Sequence, residues 1–227
     1  MLKKKKSIVV AIPCYNEEKF IGDIVAKSLK YADHVVVIDD GSTDKTAEIA
    51  EKAGAMVKRH GRQIGPGAAV RTCFEVSKEL GCDILVTIDG DAQHDPDEIP
   101  AVIQPIIENN MDLVIGSRFL RHYSIKEYRK LGIDLLTWLF NFGRRDKLTD
   151  AQCCFRAHGK QLIDTIKITD SGFGYSIEVL EFARRHGSRI AEVPVSCIYH
   201  SESSTINPLI HGFQVACSVF RHRFKTR

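Results

Sequence analysis

Leu85 to Pro96 reads LVTIDGDAQHDP, an apolar run that ends abruptly in Asp89, Asp91, Gln93 and Asp95. Two carboxylates spaced by one small residue, with a Gln amide two positions on, offer hard oxygen ligands of the kind Mg²⁺ and Mn²⁺ take. Those ions keep several waters and share their remaining positions with the phosphates of a substrate. Asp89, Asp91 and Gln93 are therefore candidate ligands of a divalent cation carried on a diphosphate. Acidic loops also cap helices, and Asp95, with Pro96 at the first helical position, is assigned that plainer use.

Two more polar segments end apolar runs in the same way: PCYNEE (Pro13 to Glu18) and DDGSTD (Asp39 to Asp44). Asp, Asn, Ser and Gly are common turn formers, so each alone is weak. Their weight depends on the elements that carry them. SIVVAI (7–12), HVVVID (34–39), AMVKRH (55–60), DILVTID (83–89) and DLVIGS (112–117) are short β-branched runs, nearly continuous in hydrophobicity as buried parallel strands are. Glu17 to Lys30 sets Phe20, Ile21, Ile24, Val25 and Leu29 on one helical side. Ser42 or Thr43 is placed to cap a helix over Asp44 to Ala53, with Gly54 at its C-terminal end. Strands alternating with helices predict an α/β fold, a doubly wound, mostly parallel sheet flanked by helices. Ligands of such sheets bind at the carboxyl ends of the strands, which brings all three motifs to one edge.

In this order, IPCYNEE, VVVIDDGSTD, RQIGPGAAVRTCF, TIDGDAQHDPDEIP, LVIGSRF and TDAQCCFRA resemble family 2 glycosyltransferases of the GT-A fold. Within that family the chain is similar to the polyprenyl-phosphate and dolichyl-phosphate sugar transferases, from about Ser7 to Val195. The resemblance implies that Pro13, Tyr15, Glu17, Asp39 and Asp40, with Asp89, bind a nucleotide sugar, while Asp89, Asp91 and Gln93 hold Mg²⁺ or Mn²⁺. It implies that Asp91, Asp150 and Arg118 are catalytic and that Arg118, Arg129 and Arg156 meet acceptor phosphate. Guanidinium forks match phosphate oxygens, which agrees with the arginine roles. Arg129 also reads as an exposed charge on a surface helix, and Asp150 as the structural partner of a nearby arginine. The implied reaction moves a hexose, with inversion, from a nucleotide diphosphate to a dolichyl or polyprenyl phosphate.

Departures from the pattern bear on the donor. Cys154 stands where the family usually has glycine in Gly-Phe-Arg, and Ile133 where a serine often follows the Arg129 position. Tyr199, His200, Ser203, Ser204 and Thr205 replace the Arg-x-x-Gly-x-Ser-Lys stretch of the dolichyl-phosphate mannose synthases. The tail is closer to archaeal-type relatives, which favours a UDP-glucose type donor over GDP-mannose; a non-lipid acceptor is the other alternative. His94, His158, His200 and His211 receive no role.

The 227 residues, 44% hydrophobic and 27% charged, suit one domain, 1–227. No window is apolar enough to span a membrane, and MLKKKKSIVVAIPCYNEE lacks a cleavage pattern, so the expected location is the cytoplasm. Net charge is +3, with Lys3 to Lys6 at one end and Arg221, Arg223, Lys225 and Arg227 at the other. LLTWLFNF (135–142) and PLIHGFQVACSVFRHRF (208–224) are apolar and aromatic, and 203–227 reads as an amphipathic membrane-surface helix with a basic end. The alternative is a pair of core or subunit-contact helices. Peripheral attachment to the cytoplasmic membrane face is the expectation. No basic face interleaved with aromatics marks nucleic-acid binding. Seven cysteines without a C-x-x-C pair read as reduced core residues, with no disulfide framework and no zinc site. GPGAAV (65–70) does not follow the first strand, which sets aside a dinucleotide-binding oxidoreductase. The intact Asp-x-Asp argues against a non-catalytic binding module. Trp138 is the single tryptophan and no Gln-x-x-Arg-Trp occurs, against a processive polysaccharide synthase. A sugar nucleotidyltransferase remains the further alternative.

Overall fold

A computed structural model describes residues 5–121, 127–144 and 146–198, the side chains of 127–132 excepted. The chain runs β1 (Ile8–Cys14), α1 (Ile21–Ser28), β2 (His34–Asp39), α2 (Thr46–Lys52), β3 (Met56–Arg59), α3 (Pro66–Glu79) and β4 (Ile84–Thr87). After a 3₁₀ turn (Pro96–Glu98) follow α4 (Ile99–Glu108), β5 (Leu113–Ser117), α5 (Glu127–Asn141), β6 (Arg156–Gly159), α6 (Lys160–Thr165), α7 (Tyr175–Arg185) and β7 (Ile190–Pro194). The strands form one sheet in the order β3-β2-β1-β4-β6-β5-β7.

Both faces of the sheet are covered, which explains the unbroken apolar runs. Val10, Ile12, Val35, Val37 and Val86 face one core with Ile21, Ile99, Val102, Leu136 and Phe140. Val9, Ala11, Val36, Ile38 and Leu85 face the other, against Ala69, Cys73 and Phe74 of α3. Alternate residues thus point to opposite cores, and neither parity is left for polar side chains.

Register decides what meets at the carboxyl edge. β1 lies parallel to β2 with Cys14 opposite Asp39, and parallel to β4 with Ala11 opposite Thr87. The three motif loops therefore leave the same edge. β6 is antiparallel to β4 and β5 and opens with Arg156 beside Thr87 and Ile115, so the loop before it, Thr149 to Cys154, joins them. β7 then runs parallel to β5 and delivers Val195 to Ile198 to that edge as well.

Local signals were partly displaced by longer-range bonds. Asp95 accepts from Asp97 N ahead of Pro96, and Gly54 takes a left-handed φ of 101°, both as the sequence predicts. The α2 cap differs: Asp44 Oδ1 accepts from Thr46 N at 2.9 Å, while Ser42 Oγ is taken by Asn16 N at 2.9 Å. No helix among the described residues is long and apolar enough to cross a membrane.

Candidate active site

The first two motif loops are bonded to each other. Thr43 N donates to Asn16 Oδ1 at 2.8 Å, Glu17 N to Thr46 Oγ1 at 2.8 Å and Asp40 N to Cys14 O at 2.9 Å. Asn16 holds a left-handed φ of 58°, the turn that sends Glu17 back over the third loop. Gly90 must be glycine for that third loop to fit: a Cβ there would sit 2.9 Å from Cys14 Cβ and 3.5 Å from Glu17 Cγ. Glu17, Asp89 and Asp91 are in consequence neighbours.

The other predicted residues divide by what they touch. Asp39 is fully buried; Oδ1 accepts from Ser42 N at 2.8 Å, and Arg59 Nε stands 3.1 Å from Oδ2, which accepts no hydrogen bond. Asp40 is occupied on both oxygens, by His60 Nδ1 at 2.7 Å and by Ile64 N and Gly65 N at 3.1 and 2.8 Å. It braces the 60–65 loop. Arg118 grips Asp150 side-on, Nε to Oδ2 at 2.7 Å and Nη2 to Oδ1 at 2.9 Å. Arg156 is internal. Its guanidinium is buried at 2% exposure and donates to the carbonyls of Cys153, Ser176 and Ala151 at 2.7, 3.0 and 3.0 Å. It holds the loop before β6. Arg129 lies in α5 with its side chain outside the described residues, as do residues 203–227.

The chain matches the profile of Glycosyl transferase family 2 over residues 9–165. It belongs to glycosyltransferase family 2. Among its relatives is a UDP-N-acetylglucosamine–dolichyl-phosphate N-acetylglucosaminyltransferase of Methanococcus voltae, 32% identical over 92% of this chain and 93% of that protein. An undecaprenyl-phosphate 4-deoxy-4-formamido-L-arabinose transferase of Salmonella choleraesuis is 29% identical over 87% of this chain and 60% of its own. A crystal structure of glucosyl-3-phosphoglycerate synthase from Mycobacterium tuberculosis with Mn²⁺, UDP and phosphoglyceric acid superposes with a TM-score of 0.78 at 21% identity. That match covers 98% of this chain and 80% of the other, and it shows the GT-A fold.

The glycosyltransferase has a donor set that fits a divalent cation in part. Among the described residues no three His, Cys, Asp or Glu side chains surround one point. Asp89 and Asp91 supply two hard anionic ligands, which is what Mg²⁺ or Mn²⁺ takes from protein when a diphosphate and water complete its shell. Gln93 is tied to its neighbours. Its Nε2 and N both donate to the Asp91 carboxylate, and its Oε1 faces the Cys197 thiol at 3.9 Å. It holds Asp91 in place.

Crowding shows in the proton affinities. Burial, then the charges of Asp91, Asp89 and Asp44, push Glu17 up to about 7, and burial with Asp91 pushes Asp89 up to about 6. Both carboxyls are raised, so the folded state keeps protons the unfolded chain releases, and their contribution to stability falls as pH rises from about 4 through 7. Without added metal, Glu17→Gln is expected to raise Tm slightly at pH 5 and much more at pH 8. Mn²⁺ is expected to raise the wild-type Tm more at pH 8 than at pH 5. Calorimetric scans check both; a pH-independent response to Glu17→Gln contradicts the crowding.

Burial alone would raise Asp150, but the Arg118 guanidinium, by charge and hydrogen bonds, outweighs it and holds the carboxyl below its ordinary range. Both oxygens of Asp150 are engaged by Arg118. Arg59, Glu98 and Glu192 complete the surroundings; Arg59 and Glu192 lie outside the motifs, and Glu98, inside TIDGDAQHDPDEIP, acts across the fold on Ser196.

Proposed function

We propose that this protein transfers a hexose, with inversion, from a UDP-sugar to a dolichyl or polyprenyl phosphate at the cytoplasmic membrane surface, with Mg²⁺ or Mn²⁺ bound. One observation carries the reading: the Asp89/Asp91 loop leaves β4, and the Arg118–Asp150 pair gathers where β5 ends and β6 begins, with β6 lying between β4 and β5, at the edge where a diphosphate and a second phosphate would meet. The names of both relatives carry a polyprenyl-type lipid phosphate, and one carries a UDP donor, which supports acceptor and base.

In this mechanism Pro13, Tyr15, Glu17 and Asp39 take the base and ribose, with Asp39 Oδ2 the buried acceptor. Asp89 and Asp91 would hold a divalent cation against the diphosphate. A bound divalent cation supplies Lewis-acid stabilisation of the leaving diphosphate. Arg118, held flat by Asp150, meets phosphate charge. An acceptor phosphomonoester, with second pKa near 6, is already ionised at neutral pH and needs no general base. Its oxygen bonds to the anomeric carbon as the bond to the diphosphate breaks and UDP departs. Incubation with Mn²⁺, a short polyprenyl phosphate and a panel of UDP- and GDP-sugars, read by mass spectrometry, should give a glycosylated lipid phosphate from a UDP-sugar. A product from GDP-mannose alone overturns the base, and no lipid product from any donor overturns the acceptor.

The membrane contact falls on α5. Leu135, Trp138 and Phe142 are 61%, 58% and 59% exposed along one helical face, while Leu136 and Phe140 turn into the core. Lys147 and Asp134 line, with Trp138 and Phe142, a groove of about 350 Å³. An apolar stripe with a basic neighbour suits an anionic bilayer surface. Wild type should pellet with phosphatidylglycerol-containing liposomes at low salt, and Trp138→Ser with Phe142→Ser should weaken pelleting about tenfold. Wild type that stays in the supernatant ends this part of the reading.

A further inference from the structure

We propose that Glu192, an edge-strand carboxylate outside every motif, is a positioning residue that sets Arg118 through the Thr149–Asp150 backbone. Residues 146–155, which connect α5 to β6, contain no helix or strand, yet must hold the fully buried Asp150 in place. A loop without ladder bonds needs its donors met by side chains. Glu192 meets them. Its carboxylate accepts from Thr149 N at 2.8 and 3.0 Å, from Thr149 Oγ1 at 2.9 Å and from Asp150 N at 2.9 Å. Thr149 Oγ1 lies in turn 2.7 Å from Ser117 Oγ, the residue next to Arg118.

The carboxylate is itself held at a set height. β7 pairs with β5 so that Glu192 stands opposite Ile115 and Pro194 opposite Ser117. Past β7, Val195 N donates to Ser117 O at 3.1 Å, and Ser196 donates from N and Oγ to Glu98 at 2.8 and 2.9 Å. Ile198 N reaches Gln93 O at 2.8 Å, so the same strand ends on the loop of Asp91. Glu192 therefore fixes Asp150 against a strand tied to both halves of the site, and Asp150 fixes the guanidinium. Glu192 itself lies in none of the motifs that carry Arg118, Thr149 and Asp150.

Glu192→Gln keeps the shape and removes the charge, so it is the variant to use, with Arg118→Lys as its partner. Amide hydrogen exchange at residues 148–151 should quicken about tenfold in Glu192→Gln, with β1 to β4 unchanged. In transfer to a polyprenyl phosphate, kcat/KM should fall about 10- to 100-fold, and the same change should cost less than about threefold in an Arg118→Lys background. Wild-type exchange at 148–151 in Glu192→Gln overturns the proposal, and so do losses that multiply fully in the double variant, since a general loosening of the fold would act independently of Arg118. The kinetic arm rests on the acceptor proposed above; a wild type inactive toward polyprenyl phosphate defeats that reading, and the exchange result alone then decides the role of Glu192.

Discussion

Asp91→Ala is expected to abolish sugar transfer, a fall of about 10³-fold or more in kcat/KM, with the fold and Tm retained. The fold survives because Asp91 lies beyond the end of β4 and is hydrogen-bonded by the side chain and backbone of nearby Gln93. Removing it also relieves Asp89 and Glu17, both of which its charge pushes upward. Transfer is lost because the departing diphosphate keeps only one of the two carboxylates that would hold its counter-cation. Steady-state kinetics at saturating Mn²⁺, Mn²⁺ titration calorimetry and a thermal scan separate the two effects. An Asp91→Ala protein that transfers sugar without metal would sink the mechanism.

The second large effect falls on stability. Arg156→Ala should destabilise the protein by about 3–5 kcal/mol, enough to bring a domain of ordinary stability, about 5–15 kcal/mol, close to unfolding. The guanidinium fills space inside the protein and is solvated by the three carbonyls of Ala151, Cys153 and Ser176. Alanine leaves those acceptors without their donor and opens a cavity beneath the loop that carries Asp150. Urea denaturation measures the loss. A variant that unfolds within about 1 kcal/mol of wild type yet cannot transfer sugar would restore Arg156 to the acceptor site, where its motif resemblance had put it.

The difference between Arg118 and Arg156 shows where reading along the chain stops. Both follow an apolar run, both match a motif, and guanidinium chemistry suits phosphate in either place. One packs against a carboxylate at the strand ends and the other is enclosed by main-chain carbonyls, a distinction made by contacts 20 to 32 residues away along the chain. Asp40 parts from Asp39 in the same way: adjacent residues on an extended chain point in opposite directions, so one carboxylate turns to the 60–65 loop and the other toward Arg59.

By itself, the sequence determined the alternation of strands and helices, the convergence of three polar motifs on one sheet edge, the Asp95 cap and the Gly54 terminus. These follow from periodicity and local backbone preference, which act over a few residues and leave their mark in composition. Only the tertiary structure decided that Gln93 braces Asp91, that Arg156 is internal, that antiparallel β6 brings Asp150 to Arg118, and that Glu192 and Glu98 tie β7 to both. Apart from the Gln93–Asp91 bond, which spans two residues, those outcomes rest on contacts between parts of the chain far apart in sequence. Separations of 32, 42 and 98 residues are set by strand register and packing, which no local pattern encodes.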